Sequence, residues 1–285
     1  MTDNGKRVTM NISSTWTALR TSSSSDVVLC SDFQTTGRSE AGFPDLVPLL
    51  RHEANFWLIS PAAVAPDADV DVEDYLQSWL EPVRDSGLHV RAVLGFCLGG
   101  VYGAALADGV ARFQDDVPEL VLLDPEQTQL MTIQYQMTKV LTMLKSVLSV
   151  DEIAEIHSKL GETAAVEGIT ARRYSRDMFT TFRRFTNGAF ERAGLDVEYG
   201  REMLGIFSAF LSYLSIAEDL DPRETWLGAT ALSSTSPESG LNRLRRTGEM
   251  GAGELVVKEI AFTDNHTELL RSAGVAETVD KLLER

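Results

Sequence analysis

The chain has 285 residues, 44% hydrophobic and 24% charged, a balance that excludes disordered and fibrous architectures. Forty-two acidic residues against 26 basic ones give a net charge of −16, which argues against nucleic acid as a partner. No apolar run approaches the roughly 20 residues needed to cross a bilayer, no apolar leader core opens the sequence, and two cysteines cannot build a disulfide framework, so a cytoplasmic chain with no membrane partner is expected. In chain order, the segment Arg7–Arg20 alternates and predicts an antiparallel hairpin at a sheet edge. Near-continuous apolar or β-branched runs then predict strands at Asp26–Phe33, Asn55–Ser60, Val90–Phe96, Glu119–Asp124, Thr225–Leu232 and Glu254–Phe262. Runs of this kind suit strands buried on both faces of a parallel sheet. Helical periodicity separates them, as at Val72–Ser86, and strand–helix alternation points to a doubly wound α/β sheet.

The rhythm breaks after Asp124. From Glu126 to about Leu220 no strand is evident, only helical patterns such as Gln134–Val150, Ile153–Gly161 and Arg201–Leu214. A parallel crossover needs a dozen or more residues, so nearly a hundred helical ones predict a lid over the strand ends. The expectation is one domain over residues 1–285 with a helical insertion at about 126–220. The Ser/Thr/Gly/Pro cluster 233–240 reads as a loop.

The segment Gly95-Phe96-Cys97-Leu98-Gly99-Gly100 follows a predicted strand and precedes a small-residue helix. It has the form of the G-x-nucleophile-x-G elbow of α/β-hydrolases, with cysteine at the nucleophile position. A sharp turn there leaves no room for side chains at positions 95 and 99. The following helix would turn its amides and positive dipole end towards the thiol, favouring thiolate. The amide of Leu98 would supply one oxyanion donor. Among four histidines, His266 follows the last strand, where the hydrolase order nucleophile–acid–histidine places the base. His52 and His89 precede the nucleophile, and His157 lies in a polar helical context. Asp124, ending the strand after the nucleophile, is the better candidate for the orienting acid, with Glu238 in reserve and Asp264 too near His266 in sequence for easy pairing.

Together the G-F-C-L-G-G elbow, Asp124, the long helical stretch and the late His266 resemble the thioesterases of nonribosomal peptide and polyketide synthesis. The resemblance covers most of the chain in order and spacing and implies an α/β-hydrolase fold: a mostly parallel doubly wound sheet with a helical lid insertion. It also implies acyl loading from a carrier-protein phosphopantetheine thioester, with Cys97 as nucleophile, His266 as base and Asp124 as orienter, and with no cofactor or metal. Cysteine in place of the usual serine resembles the free-standing aminoacyl and acyl shuttles of that family. The usual proline- and glycine-rich oxyanion turn is missing after the strand DVVLC, so the second donor falls to Ser31, Asp32 or Phe33. Dienelactone hydrolase also carries cysteine in a similar elbow, but its acid is expected after the later strand and it lacks the long lid. Within the insertion, arginines crowd residues 171–194. Of these, Arg172, Arg173, Arg183 and Arg184 are candidates to dock an acidic carrier protein or its phosphate, by steering and charge-assisted hydrogen bonds. The alternative for that cluster is a solvated helix face with intramolecular ion pairs.

Overall fold

The computed structural model of the protein describes residues 15–34, 40–62, 64, 66, 68, 70–128, 130–194, 196–248 and 253–284. Among the described residues seven strands form one sheet: β1 (Trp16–Arg20), β2 (Asp26–Ser31), β3 (Asn55–Ile59), β4 (His89–Phe96), β5 (Glu119–Leu123), β6 (Thr230–Ser233) and β7 (Lys258–Ala261). Their spatial order is β1-β3-β2-β4-β5-β6-β7. All neighbours run parallel except β1, which pairs antiparallel with β3 from Trp16 opposite Ile59 to Arg20 opposite Phe56. The edge position expected for Arg7–Arg20 thus holds for its second arm, while residues 7–14 lie outside the described ones.

Ten α-helices complete the described chain: α1 (Phe43–Leu46), α2 (Val72–Ser86), α3 (Gly99–Val110), α4 (Leu130–Met143), α5 (Val150–Ala164), α6 (Ala171–Arg192), α7 (Val197–Ile216), α8 (Arg223–Trp226), α9 (Gly240–Thr247) and α10 (Ala273–Leu283). The continuous apolar strands bury both faces. Val27, Leu29, Val93 and Leu122 pack under α2, α3 and the helices that follow β5. Val28, Cys30, Leu94, Phe96 and Leu123 pack against α1 and α10. This three-layer arrangement is what near-unbroken hydrophobic strands require. Helix α2 matches its predicted span because both ends are written in the sequence. The Asp71 side chain accepts from the Glu73 amide at 2.8 Å, and Gly87 stops the helix in the left-handed region at φ 67°.

The strand order, the antiparallel edge strand, and the turn from β4 into a helix that lies against the sheet make this the α/β-hydrolase fold. Between β5 and β6 the described residues form helices α4 to α8 and no strand. The first four long strand runs end within two residues of expectation, and two later ones differ more. Thr225–Leu232 is not all strand: Arg223–Trp226 is a helical turn, and β6 begins at Thr230. The apolar Trp226 is used in packing, fully buried, with its indole N–H donating to the Gly100 carbonyl at 3.1 Å. Glu254–Phe262 likewise shortens to Lys258–Ala261, because β7 at the sheet edge has only the four residues of β6 to pair with. Among the described residues no helix is long and apolar enough to cross a membrane.

Candidate active site

The carboxyl ends of β4, β5, β6 and β7 converge on one cluster of side chains. At the end of β4, Cys97 sits at φ 53°, and at the end of β5, Asp124 sits at φ 42°. They are the two non-glycine residues with positive φ among the described ones. Each such residue costs on the order of 1 kcal/mol or more, so the surrounding structure must hold it in place. It does so with backbone bonds. The Cys97 N–H donates to the Leu123 carbonyl at 3.0 Å, and the Cys97 carbonyl accepts from the amides of Gly100 and Glu126, each at 3.0 Å. The Asp124 N–H donates to Leu232 at 3.0 Å. Sheet ladder and elbow are therefore one hydrogen-bonded unit.

Gly99 shows why the elbow needs glycine. A Cβ there would stand 1.9 Å from the Ser31 carbonyl oxygen and 3.1 Å from the Asp32 nitrogen. The backbone leaving β2 thus lies directly against the first turn of α3. Of the expected oxyanion segment, Ser31 and Asp32 are buried, and Phe33 is half-buried with its ring packed on Phe210 and Tyr213 of α7, at centroid distances of 4.9 and 5.3 Å. Leu98 is buried at the start of α3.

His266 comes from the loop after β7. Its Nδ1 lies 2.9 Å from Asp124 Oδ2, its main-chain N–H donates to Ser236 Oγ at 2.8 Å, and its ring stacks on Phe96 at 4.9 Å. Asp124 is fully buried, and its other oxygen accepts from the Ser234 amide at 2.8 Å. The carboxylate and the Phe96 ring face hold the imidazole itself, and the Ser236 hydroxyl holds its backbone. With Nδ1 committed to Asp124, Nε2 is the nitrogen left for chemistry. Gly240 closes the far side of this pair. It opens α9 at φ 58°, and a Cβ there would approach Asp124 Oδ1 to 2.7 Å. Cys97 and His266 both keep partial exposure, so the cluster opens to solvent.

Sequence reasoning missed Glu126. It is buried, two residues past Asp124, where the chain pattern reads only as the start of the helical stretch. Its carboxylate accepts from the Gly240 amide at 3.3 Å and from the Arg243 guanidinium at 3.1 Å. Cys97, Glu126 and His266 each bring a sulfur, oxygen or nitrogen atom to within 4.8 Å of the other two. Burial pushes the Glu126 carboxyl up from its usual range, with His266 and Arg243 pulling against that rise. The only available signal was the tripeptide Asp124-Pro125-Glu126: proline biases the residue before it towards extended backbone, so nothing in the sequence hints that Asp124 turns at φ 42° and carries Glu126 into the site.

The remaining candidates lie elsewhere. Glu238, the reserve acid, is exposed and paired with Arg246, while Asp264 offers its backbone carbonyl to the Thr235 amide. His89 pairs with Asp26 at 3.3 Å and His157 is exposed. All four docking candidates stand on α6. Arg172 is tied to Asp219 at 2.5 Å and to the Val70 carbonyl at 3.0 Å. Arg173, Arg183 and Arg184 are exposed, the last two lying over the Phe179 and Phe185 rings.

No protein-family model matches the chain, and no curated protein matches it in sequence. Among solved structures it is similar to the Vlm2 thioesterase domain bound with a dodecadepsipeptide, at 16% identity and a TM-score of 0.47, covering 94% of this chain and 96% of that one. It is also similar to a hydrolase from Pseudomonas aeruginosa PA01, at 13% identity and a TM-score of 0.49, covering 95% and 94%. A third is the NocB thioesterase domain in covalent complex with a fluorophosphonate nocardicin G analogue, at 14% identity and a TM-score of 0.47, covering 92% and 95%.

Proposed function

We propose that the protein is a thioesterase-like acyltransferase that accepts an acyl or aminoacyl group from a carrier-protein phosphopantetheine thioester onto Cys97. The observation that carries this reading is the strained cysteine at the β4–α3 turn, beside an imidazole whose Nδ1 is held 2.9 Å from a buried aspartate. In the first half-reaction His266 takes the thiol proton and Cys97 sulfur attacks the thioester carbonyl. The Leu98 amide and one amide of Ser31–Phe33 stabilise the oxyanion. Collapse expels the pantetheine thiolate, which takes the proton back from His266. The acyl-enzyme is itself a thioester, so exchange with a second pantetheine thiol is nearly isoenergetic and reversible. An oxygen ester on serine would lie lower in energy and lose that drive. An amine or hydroxyl acceptor completes the transfer in the same way, and water would make the outcome hydrolysis.

In this reading residues 1–285 are one cytoplasmic α/β-hydrolase domain, the helices of about 126–220 are a lid that shapes the acyl pocket, and the exposed arginines of α6 meet the carrier. The deciding experiment is intact mass spectrometry after mixing with acyl-loaded carrier protein. The expected result is an acyl adduct on Cys97 that is discharged by a second, unloaded carrier. Cys97→Ser should still acylate but pass its acyl group to thiols far more slowly. Absence of any adduct on Cys97 would refute the assignment, and equal thiol-transfer rates in the two proteins would remove the argument for cysteine.

A further inference from the structure

Acyl transfer by Cys97, His266 and Asp124 has no use for a fourth ionisable group, yet Glu126 stands within 4.8 Å of both the sulfur and the imidazole. A thiolate, an imidazole nitrogen and a carboxylate are together a donor set for zinc, and three protein ligands with one open position is the form zinc takes in reactive sites. Tetrahedral bonds of about 2.3 Å to sulfur and about 2.0 Å to nitrogen or oxygen set donor atoms roughly 3.5 Å apart. The present separations, none above 4.8 Å, therefore need to close by no more than about 1.3 Å.

The surroundings already do what the outer contacts of a metal site do. Asp124 holds His266 by Nδ1 at 2.9 Å, leaving the other ring nitrogen for the ion, and Arg243 and the Gly240 amide steady the Glu126 carboxylate at 3.1 and 3.3 Å. Cys97 and His266 are partly exposed, which gives the ion an entry path. The thiolate and the carboxylates of Glu126 and Asp124, less the Arg243 guanidinium paired with Glu126, leave two negative charges to balance a dication. Hard cations such as Mg²⁺ and Ca²⁺ find no oxygen cage here.

We propose that Cys97, Glu126 and His266 form a binding site for a thiophilic divalent cation, Zn²⁺ first among them. The Cys97 thiol proton is released to solvent as the Zn–S bond forms, and no redox step is involved. An ion there occupies nucleophile and base together, so acyl transfer stops until the metal is withdrawn. That last consequence rests on the function proposed above, whereas the binding itself does not.

The test is a titration of the whole chain with Zn²⁺ by calorimetry and with Co²⁺ by thiolate-to-metal charge-transfer absorption, without substrate. One ion per chain is expected, with the cobalt band present. Carbamidomethylation of Cys97 should abolish binding, and Glu126→Gln should weaken it by about tenfold to a hundredfold or more, at least the loss seen when outer-shell partners of a metal ligand are removed. Glu126→Asp and the alkylated wild-type protein carry the test if Glu126→Gln fails to fold. No cobalt band, or zinc affinity unchanged by the Glu126 variants, overturns the proposal. Zinc binding in a protein that never acylates would leave the metal site standing and sink the acyltransfer reading. Acylation without zinc binding would do the reverse.

Discussion

The carboxyl edge of the sheet and the helical stretch from α4 to α8 are built on opposite principles. At the edge the backbone is dictated: two strained residues, amides paired across β4, β5 and β6, and a glycine whose missing Cβ makes room for Asp124. The helices instead follow amphipathic periodicity and local caps, such as the Ser149–Glu152 capping box of α5 and Thr170 ahead of α6. They meet the edge mainly through side chains, with Phe210 and Tyr213 on the Phe33 ring and the Tyr102 hydroxyl donating to the Tyr213 carbonyl at 2.6 Å. Side-chain contacts can be exchanged without moving a backbone, whereas at the edge positive φ and close backbone approach restrict Cys97, Gly99, Asp124 and Gly240. In the function proposed above, the chemistry is fixed at the edge and the choice of acyl group and partner falls to the helices.

Asp124→Asn strikes the edge hardest. The amide still accepts from Ser234, but it no longer holds His266 in the tautomer that leaves Nε2 free, and the acyl-transfer rate should fall by roughly 10⁴-fold. Stopped-flow acylation of Cys97 from a loaded carrier checks it, and a loss under tenfold would show that Asp124 is structural only. Arg243→Met comes next. It strips the partner at 3.1 Å from the buried Glu126 carboxylate and should cost about 3 kcal/mol by urea unfolding. Adding Glu126→Gln should recover part of that loss, a coupling that additive single effects would contradict. Gly240→Ala places a Cβ against Asp124 at positive φ and should cost about 1–3 kcal/mol together with catalytic rate.

A smaller effect lies in pH. Burial raises the Glu126 carboxyl above its ordinary value of 4.5, so the folded state binds that proton more tightly than the unfolded chain does. The stability this contributes is complete below pH 4.5 and is lost as pH rises from there through the folded-state value. The stability difference between wild type and Glu126→Gln should therefore decline across that window. A flat difference would mean that the carboxylate is fully compensated by Arg243 and His266.

How much of this was legible in the sequence divides along the same line. The elbow, the strand after it and His266 are visible because strained strand-to-helix turns permit few residues, and their order along the chain follows from the topology. The helical stretch is visible as an absence of strand pattern. Glu126 and Arg243 are invisible because they meet across 117 positions of chain, through a turn whose course only the folded sheet defines. The half-helical start of the Thr225–Leu232 run was hidden for a related reason. Trp226 is apolar enough for a strand, but a contact with Gly100 of α3 decides its conformation. For the arginine cluster of α6 the sequence leaves a docking patch and an ion-paired helix face both open, and Arg172 and Arg192 are paired with Asp219 and Glu152 from other helices, as the second requires. Composition counts charges and cannot see which are neutralised.

That pairing sharpens the last test. Arg183 and Arg184 are exposed on α6 and lie over phenylalanine rings of their own helix. Reversing both to glutamate should change stability by no more than about 0.5 kcal/mol, as for exposed substitutions generally. If they steer an acidic carrier, the second-order rate of acyl loading from carrier protein should fall by about tenfold at low ionic strength, and the gap should close as salt screens the encounter. Loading from a small pantetheine thioester, which has no carrier surface, should be unchanged in the same variant. A deficit shared by both donors would place the effect in the packing of α6 rather than in carrier docking, and no deficit with either would leave the arginines as a solvated helix face.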